Sequence, residues 1–81
     1  MNNLAAVRKE LGLSQEELAR RVGLKSKGHL SQIERGEQTP SVRTALEIER
    51  ETGGRIRAAD LNGDVALVDR FRAADDTAEA A

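Results

Sequence analysis

The chain has 81 residues, a net charge of −1, no cysteine, one histidine and a single aromatic residue, Phe71. These values admit one small domain with a limited core. They exclude disulfides and thiolate metal sites, and no apolar run is long enough to cross a bilayer or to serve as a signal-peptide core.

In chain order, Leu4, Val7 and Leu11 recur at i, i+3 and i+7, which predicts one helical face ended by Gly12. Ser14 to Glu17 fits a capping box, with the Ser14 hydroxyl accepting from the Glu17 N–H and Glu17 reaching back. Leu18, Ala19 and Val22 give a second helix its apolar stripe, and Gly23 stops it. A short third helix carries Leu30 and Ile33 and closes at Gly36. Its start falls somewhere from Ser26 to Gly28: Ser26 is the natural cap, whereas Gly28 costs about 1 kcal/mol inside a helix. Thr39-Pro40 reads as an N-cap followed by proline at the first helical position, so a fourth helix is expected over residues 40–52, ended by Gly53-Gly54. Ile56 alternates with Arg55 and Arg57 as in a short extended piece. Asn62-Gly63 signals a turn. A fifth helix is expected over residues 64–73, with Val65, Val68 and Phe71 on one face. The small acidic segment 74–81 is expected to be disordered.

The charges are unevenly divided. Residues 1–43 carry eight basic and five acidic side chains, a net +3; residues 44–81 carry five basic and nine acidic, a net −4. A polyanion-facing first half is one reading of this, and an unevenly charged solvated surface is the other. The joint at Gly23 between the second and third helices meets the criteria of a helix-turn-helix: a tight turn, a small Ala19 where the helices approach, and a short polar second element.

The strings "LSQEELARRVGL" and "LSQIERGEQTPS" resemble the lambda-repressor-like, Cro/C1-type (Xre) helix-turn-helix family of transcription regulators, over residues 3–53. The ordered set is specific: Ser14-Gln15, Glu17-Leu18-Ala19, Gly23, Leu30-Ser31, Ile33-Glu34, Gly36 and Pro40-Ser41. One departure is visible. Typical members place the turn glycine six positions before the first apolar residue of the recognition helix, whereas Gly23 to Leu30 is seven. The extra residue is expected to lengthen the turn or bulge the helix start.

The resemblance implies an all-α fold: a compact four- to five-helix lambda-repressor-like DNA-binding domain at 1–54, a C-terminal helical dimerisation extension at 55–73, and the tail at 74–81. It implies double-stranded DNA as the partner, with the third helix in the major groove and its N-terminal residues at base edges. Gln32, on the polar side, suits adenine N6 and N7. Lys27 suits guanine O6/N7 or a phosphate. Ser26 either caps the helix or touches DNA, and His29 either contacts a base or phosphate or is a plain surface histidine. Gln15 takes the family's phosphate-binding position, with Lys25, Arg35 and Arg43 as further phosphate candidates. Arg8 and Glu34 correspond to a pair that ties the first helix to the end of the recognition helix.

Ile56, Leu61, Val65, Leu67, Val68 and Phe71 exceed what a four-helix domain needs. Either they cover the domain's own core or they build a two-fold interface; the second reading gives a homodimeric repressor on an inverted-repeat operator. The competing reading is an antitoxin that binds a partner toxin through the 55–81 segment and regulates its own operon. No spacing of serine, histidine and carboxylates suggests a triad or a metal cage, so neither catalysis nor a cofactor is expected. The expected location is the cytoplasm, at the nucleoid.

Overall fold

The computed structural model describes residues 2–68. Among them the order is α1 (Leu4–Glu10), α2 (Gln15–Arg21), α3 (Lys27–Glu34), α4 (Val42–Glu51) and α5 (Ala58–Leu61), with no strand. A sixth helical segment, α6, occupies 63–68.

The core collects one stripe from each helix. Leu4, Leu18, Leu30, Ile33 and Ile48 are its largest fully buried side chains, with Val7, Ala19, Val22, Ala45, Ile56, Ala58, Leu61 and Val65 around them. The expected α1 stripe is shorter than its spacing suggested. Leu11 is 42% exposed, because α1 ends at Glu10 and the chain turns away at Gly12 (φ 74°). Asn2 secures the start of α1 instead of the capping residue Asn3: its Oδ1 accepts from the Leu4 N–H at 3.0 Å, and its Nδ2 donates to the Ile33 carbonyl at 2.9 Å.

Half of the expected capping box forms. Ser14 Oγ accepts from the Glu17 N–H at 3.0 Å, but the Glu17 carboxylate turns outward to Arg20 and Arg21. At the end of α2, Gly23 takes φ 80°, a conformation that a Cβ would strain. This lets the Leu24 N–H reach back to the Ala19 carbonyl at 2.8 Å. Residues 22–26 make the turn, and Ser26 is extended (φ −149°, ψ 155°) and caps α3. The residue in excess of the family spacing therefore lengthens the turn, and α3 starts cleanly at Lys27.

Two boundaries differ from expectation. Helix α4 starts after Ser41, whose Oγ accepts from the Thr44 N–H at 3.2 Å, and not after Thr39. Pro40 is buried outside the helix, and its carbonyl accepts from Asn62 Nδ2 at 2.8 Å. The stretch read as extended around Ile56 is a bend leading into α5. Thr52 Oγ1 accepts from the Ile56 N–H at 3.2 Å, and Glu49 Oε1 accepts from the Ala58 N–H at 2.8 Å. Glu49 of α4 and its C-cap Thr52 thus fold this segment back, and no period-2 pattern could survive there. Asn62 then serves as both latch and cap, since its Oδ1 accepts from the Asp64 N–H at 2.8 Å as α6 begins.

Gly54 is no packing boundary. Ile56, Ala58, Leu61 and Val65 belong to the same core as Leu4 and Leu18. The expectations for 69–73, for Phe71 and for the 74–81 tail lie outside the described residues.

Candidate nucleic-acid interface

Helix α3 is anchored by three residues on its inner side, Leu30, Ile33 and Glu34, all buried. Two are apolar and pack against α2. The third is a carboxylate that joins three helices. Glu34 Oε2 accepts from Arg8 Nε of α1 at 2.7 Å, and Glu34 Oε1 accepts from Gln15 Nε2 of α2 at 2.9 Å. Arg8 also donates to the Leu13 carbonyl at 2.8 Å. Burying this carboxylate is tolerable because a guanidinium and an amide satisfy it together. The orientation of α3 on α1 and α2 is fixed by this contact.

With about 100° of rotation per residue, the side of α3 opposite those anchors carries Gly28 and Gln32, one turn apart. His29 and Ser31 flank this ridge, and Lys27 opens the helix at its N-terminal end. Lys27, Gly28 and Gln32 are exposed and His29 is half-buried. Ser26 is committed to the cap, its Oγ accepting from the His29 N–H at 3.3 Å. Ser31, part of the sequence motif but given no contact there, has a hydroxyl that accepts from Arg35 Nη1 at 2.9 Å. Arg35 also pairs with Glu37 at 2.5 Å, so its charge is partly neutralised. A wheel projection of α3 would have found both Gly28 and Ser31.

Gln15 and Lys27 are brought together. They line one surface depression with Arg8, Ser14 and Glu16, and a neighbouring depression holds Lys25, Ser26 and Lys27. One amide hydrogen of Gln15 is held by Glu34, which orients the side chain and leaves the other free. Arg43 sits apart, lining a depression with Arg20, Arg21, Thr44 and Glu47. There the hydrogen bond from Arg21 holds the Glu17 carboxyl below its ordinary value, with the Arg20 charge adding to the effect against some desolvation. The same bond raises Arg21. Arg21 also approaches Glu51 at 3.6 Å.

The residues expected at a self-interface separate. Ile56, Leu61 and Val65 are only 6%, 8% and 6% exposed within one chain. They serve its own core and present little surface to a partner. Val68 is 49% exposed, and its neighbour Leu67 47%.

The helix-turn-helix family matches residues 4–57, from the start of α1 to the residue before α5. The chain belongs to the Cro/C1-type helix-turn-helix family. This is a family of DNA-binding transcription regulators, and the α2–turn–α3 unit is its defining element. The helix-turn-helix chain is 42% identical over 52 residues to an uncharacterized HTH-type transcriptional regulator, y4dJ, of Sinorhizobium fredii (strain NBRC 101917 / NGR234). The match covers 64% of this chain and 66% of that relative, just under two thirds of its length. No solved structure matches the chain significantly. Among the described residues of this helix-turn-helix protein, no helix is long and apolar enough to cross a membrane.

Proposed function

We propose that the chain is a sequence-specific, double-stranded DNA-binding regulator that reads an operator through α3 in the major groove. The observation that carries this reading is the division of α3 into a side locked by Leu30, Ile33 and the Arg8–Glu34–Gln15 contact and a polar ridge facing out. A helix held this rigidly from behind can present side chains to base edges with little loss of conformational freedom.

On this reading Gln32 bonds adenine N6 and N7, and Lys27 bonds guanine O6/N7 or a phosphate. His29 and Ser26 touch the groove margin, Ser26 while capping the helix. Gln15, aimed by Glu34, donates its remaining amide hydrogen to a phosphate. Lys25 and Arg43 add positive charge, and Arg35 contributes by exchanging Glu37 for a phosphate. Such contacts set register without reading sequence.

A single short helix reads few base pairs, which favours a homodimer on an inverted repeat, acting as a repressor by occupying a promoter. The exposed Leu67 and Val68 supply apolar surface for the second copy. The same pair would serve a toxin if the chain were an antitoxin.

The test is selection of duplexes from a randomised library, followed by sequencing and sedimentation. The expected result is enrichment of an inverted repeat by a dimer, with Gln32→Ala relaxing the preference by about 1–3 kcal/mol at one base pair per half-site and Gln15→Ala weakening all duplexes alike. Unchanged preference in Gln32→Ala would remove α3 from the groove. A monomer that dimerises only with another protein would favour the antitoxin.

A further inference from the structure

Gly28 is an anomaly within α3. Glycine is among the poorest helix formers, because it has the most backbone freedom to lose. Five of the other six glycines have a local reason to be glycine: Gly12, Gly23, Gly36, Gly53 and Gly54 adopt positive φ, whereas Gly63, at the first position of α6, does not. Gly28 does not. A Cβ built on it would meet nothing closer than Ser26 Oγ at 3.8 Å, an ordinary contact. Neither its backbone conformation nor its packing requires the missing side chain, although the helix would gain from one.

Its position supplies a reason. Taking about 100° per residue, Gly28 points within roughly 15° of the direction opposite the mean of Leu30, Ile33 and Glu34. It stands at the crest of the outward ridge, one turn before Gln32. Whatever α3 faces meets the bare backbone of Gly28 first.

Resting on the reading of α3 as the groove-entering helix, we propose that Gly28 is a specificity-determining residue through its lack of a side chain. It is the point of closest approach between α3 and the bases. The notch it leaves lets the helix axis sit deep enough for Gln32 to make a two-point contact with a base. Hydrogen bonds of this kind weaken steeply with stretching and misalignment, so a methyl group at the crest lifts both the Gln32 amide donor and its carbonyl acceptor off the base edge. Phosphate contacts at the margin, made by flexible lysines and by Gln15, tolerate the same lift. Gly28 therefore acts on sequence discrimination rather than on general affinity for DNA.

The experiment compares the full chain with Gly28→Ala, Gly28→Ser and Gln32→Ala. The probes are the duplex most enriched by the unmodified chain from a randomised library, and a scrambled duplex of equal length. Dissociation constants are measured by fluorescence anisotropy and thermal stability by circular dichroism. The expected result is a raised or unchanged melting temperature in Gly28→Ala, at least tenfold weaker binding to the enriched duplex, and binding to the scrambled duplex within twofold of the unmodified chain. Binding of the enriched duplex within twofold, while Gln32→Ala loses it, overturns the role of Gly28 and leaves the α3 reading intact. Equal weakening on both duplexes also overturns it. Lowered melting temperatures in both Gly28 variants would mean the fold itself requires glycine, which ends the proposal. Failure of the unmodified chain to enrich any duplex, or indifference to Gln32→Ala, removes the α3 reading and the role of Gly28 with it.

Discussion

Helices α3 and α4 begin in the same way and are held in different ways. Each follows an extended serine whose hydroxyl accepts a backbone N–H three residues on, Ser26 from His29 and Ser41 from Thr44. Helix α4 is ten residues long and carries a clear apolar stripe through Ala45 and Ile48. Two of its three carboxylates are used inside the chain: Glu49 caps α5 and approaches Arg57, and Glu51 approaches Arg21. Helix α3 is eight residues long and is fixed by two apolar side chains and one buried carboxylate. The difference teaches how a small domain sets residues aside for recognition. A helix located by a few strong anchors leaves its other side unconstrained by folding, and on α3 that side holds Gly28 and Gln32.

The largest effect that could break this contrast is loss of an α3 anchor. Leu30→Ala is expected to cost about 2–5 kcal/mol, against a total stability of about 4–12 kcal/mol for a chain of this size. The half-exposed Leu46→Ala on α4 should cost less than about 0.5 kcal/mol. Urea denaturation measures both, and similar losses would show that α3 is not singularly dependent on its anchors.

Next comes the carboxylate. Glu34→Ala leaves the buried Arg8 without its partner and should destabilise by about 3 kcal/mol. Adding Arg8→Ala should recover part of that loss, because the uncompensated charge goes with it. An additive double variant would mean that the contact does not couple α1 to α3.

The smallest effect contrasts this buried pair with an exposed one. Glu17 is held below its ordinary value chiefly by the hydrogen bond from Arg21. A depressed carboxyl contributes stability that is present above the ordinary glutamate range and is lost as pH falls through the lowered value. Melting temperatures followed from about pH 6 to about pH 3 should therefore fall slightly more for the unmodified chain than for Glu17→Gln. Exposed pairs are worth little, so a large gap between the curves would contradict the surface position of Glu17.

The first four helices were legible because their signals are local. Gly12, Gly23 and Gly36 mark turns that need positive φ, and Ser14 and Ser26 are caps read from two or three neighbours. Leu30 and Ile33 fall on the inner side by spacing alone. The region after Gly54 was not legible to the same degree. Ile56, with arginines on both sides, looks like alternation, but Thr52 and Glu49 reach across from α4 to bend that segment and start α5. Asn62 reads as a turn residue, and nothing adjacent to it says that its amide will clasp the Pro40 carbonyl. The family motif located Gln15 near DNA without revealing that Glu34 holds it.

By itself the sequence determined the helix-turn-helix, its tight Gly23 joint and the polar character of α3, because dihedral preferences, caps and a 3.6-residue period act within a few residues. Only the tertiary structure decided that Ile56, Leu61 and Val65 close the chain's own core and that one carboxylate ties α1, α2 and α3 together. Those outcomes depend on which distant surfaces meet, and burial is settled by the whole packed arrangement rather than by any residue's neighbours in the chain.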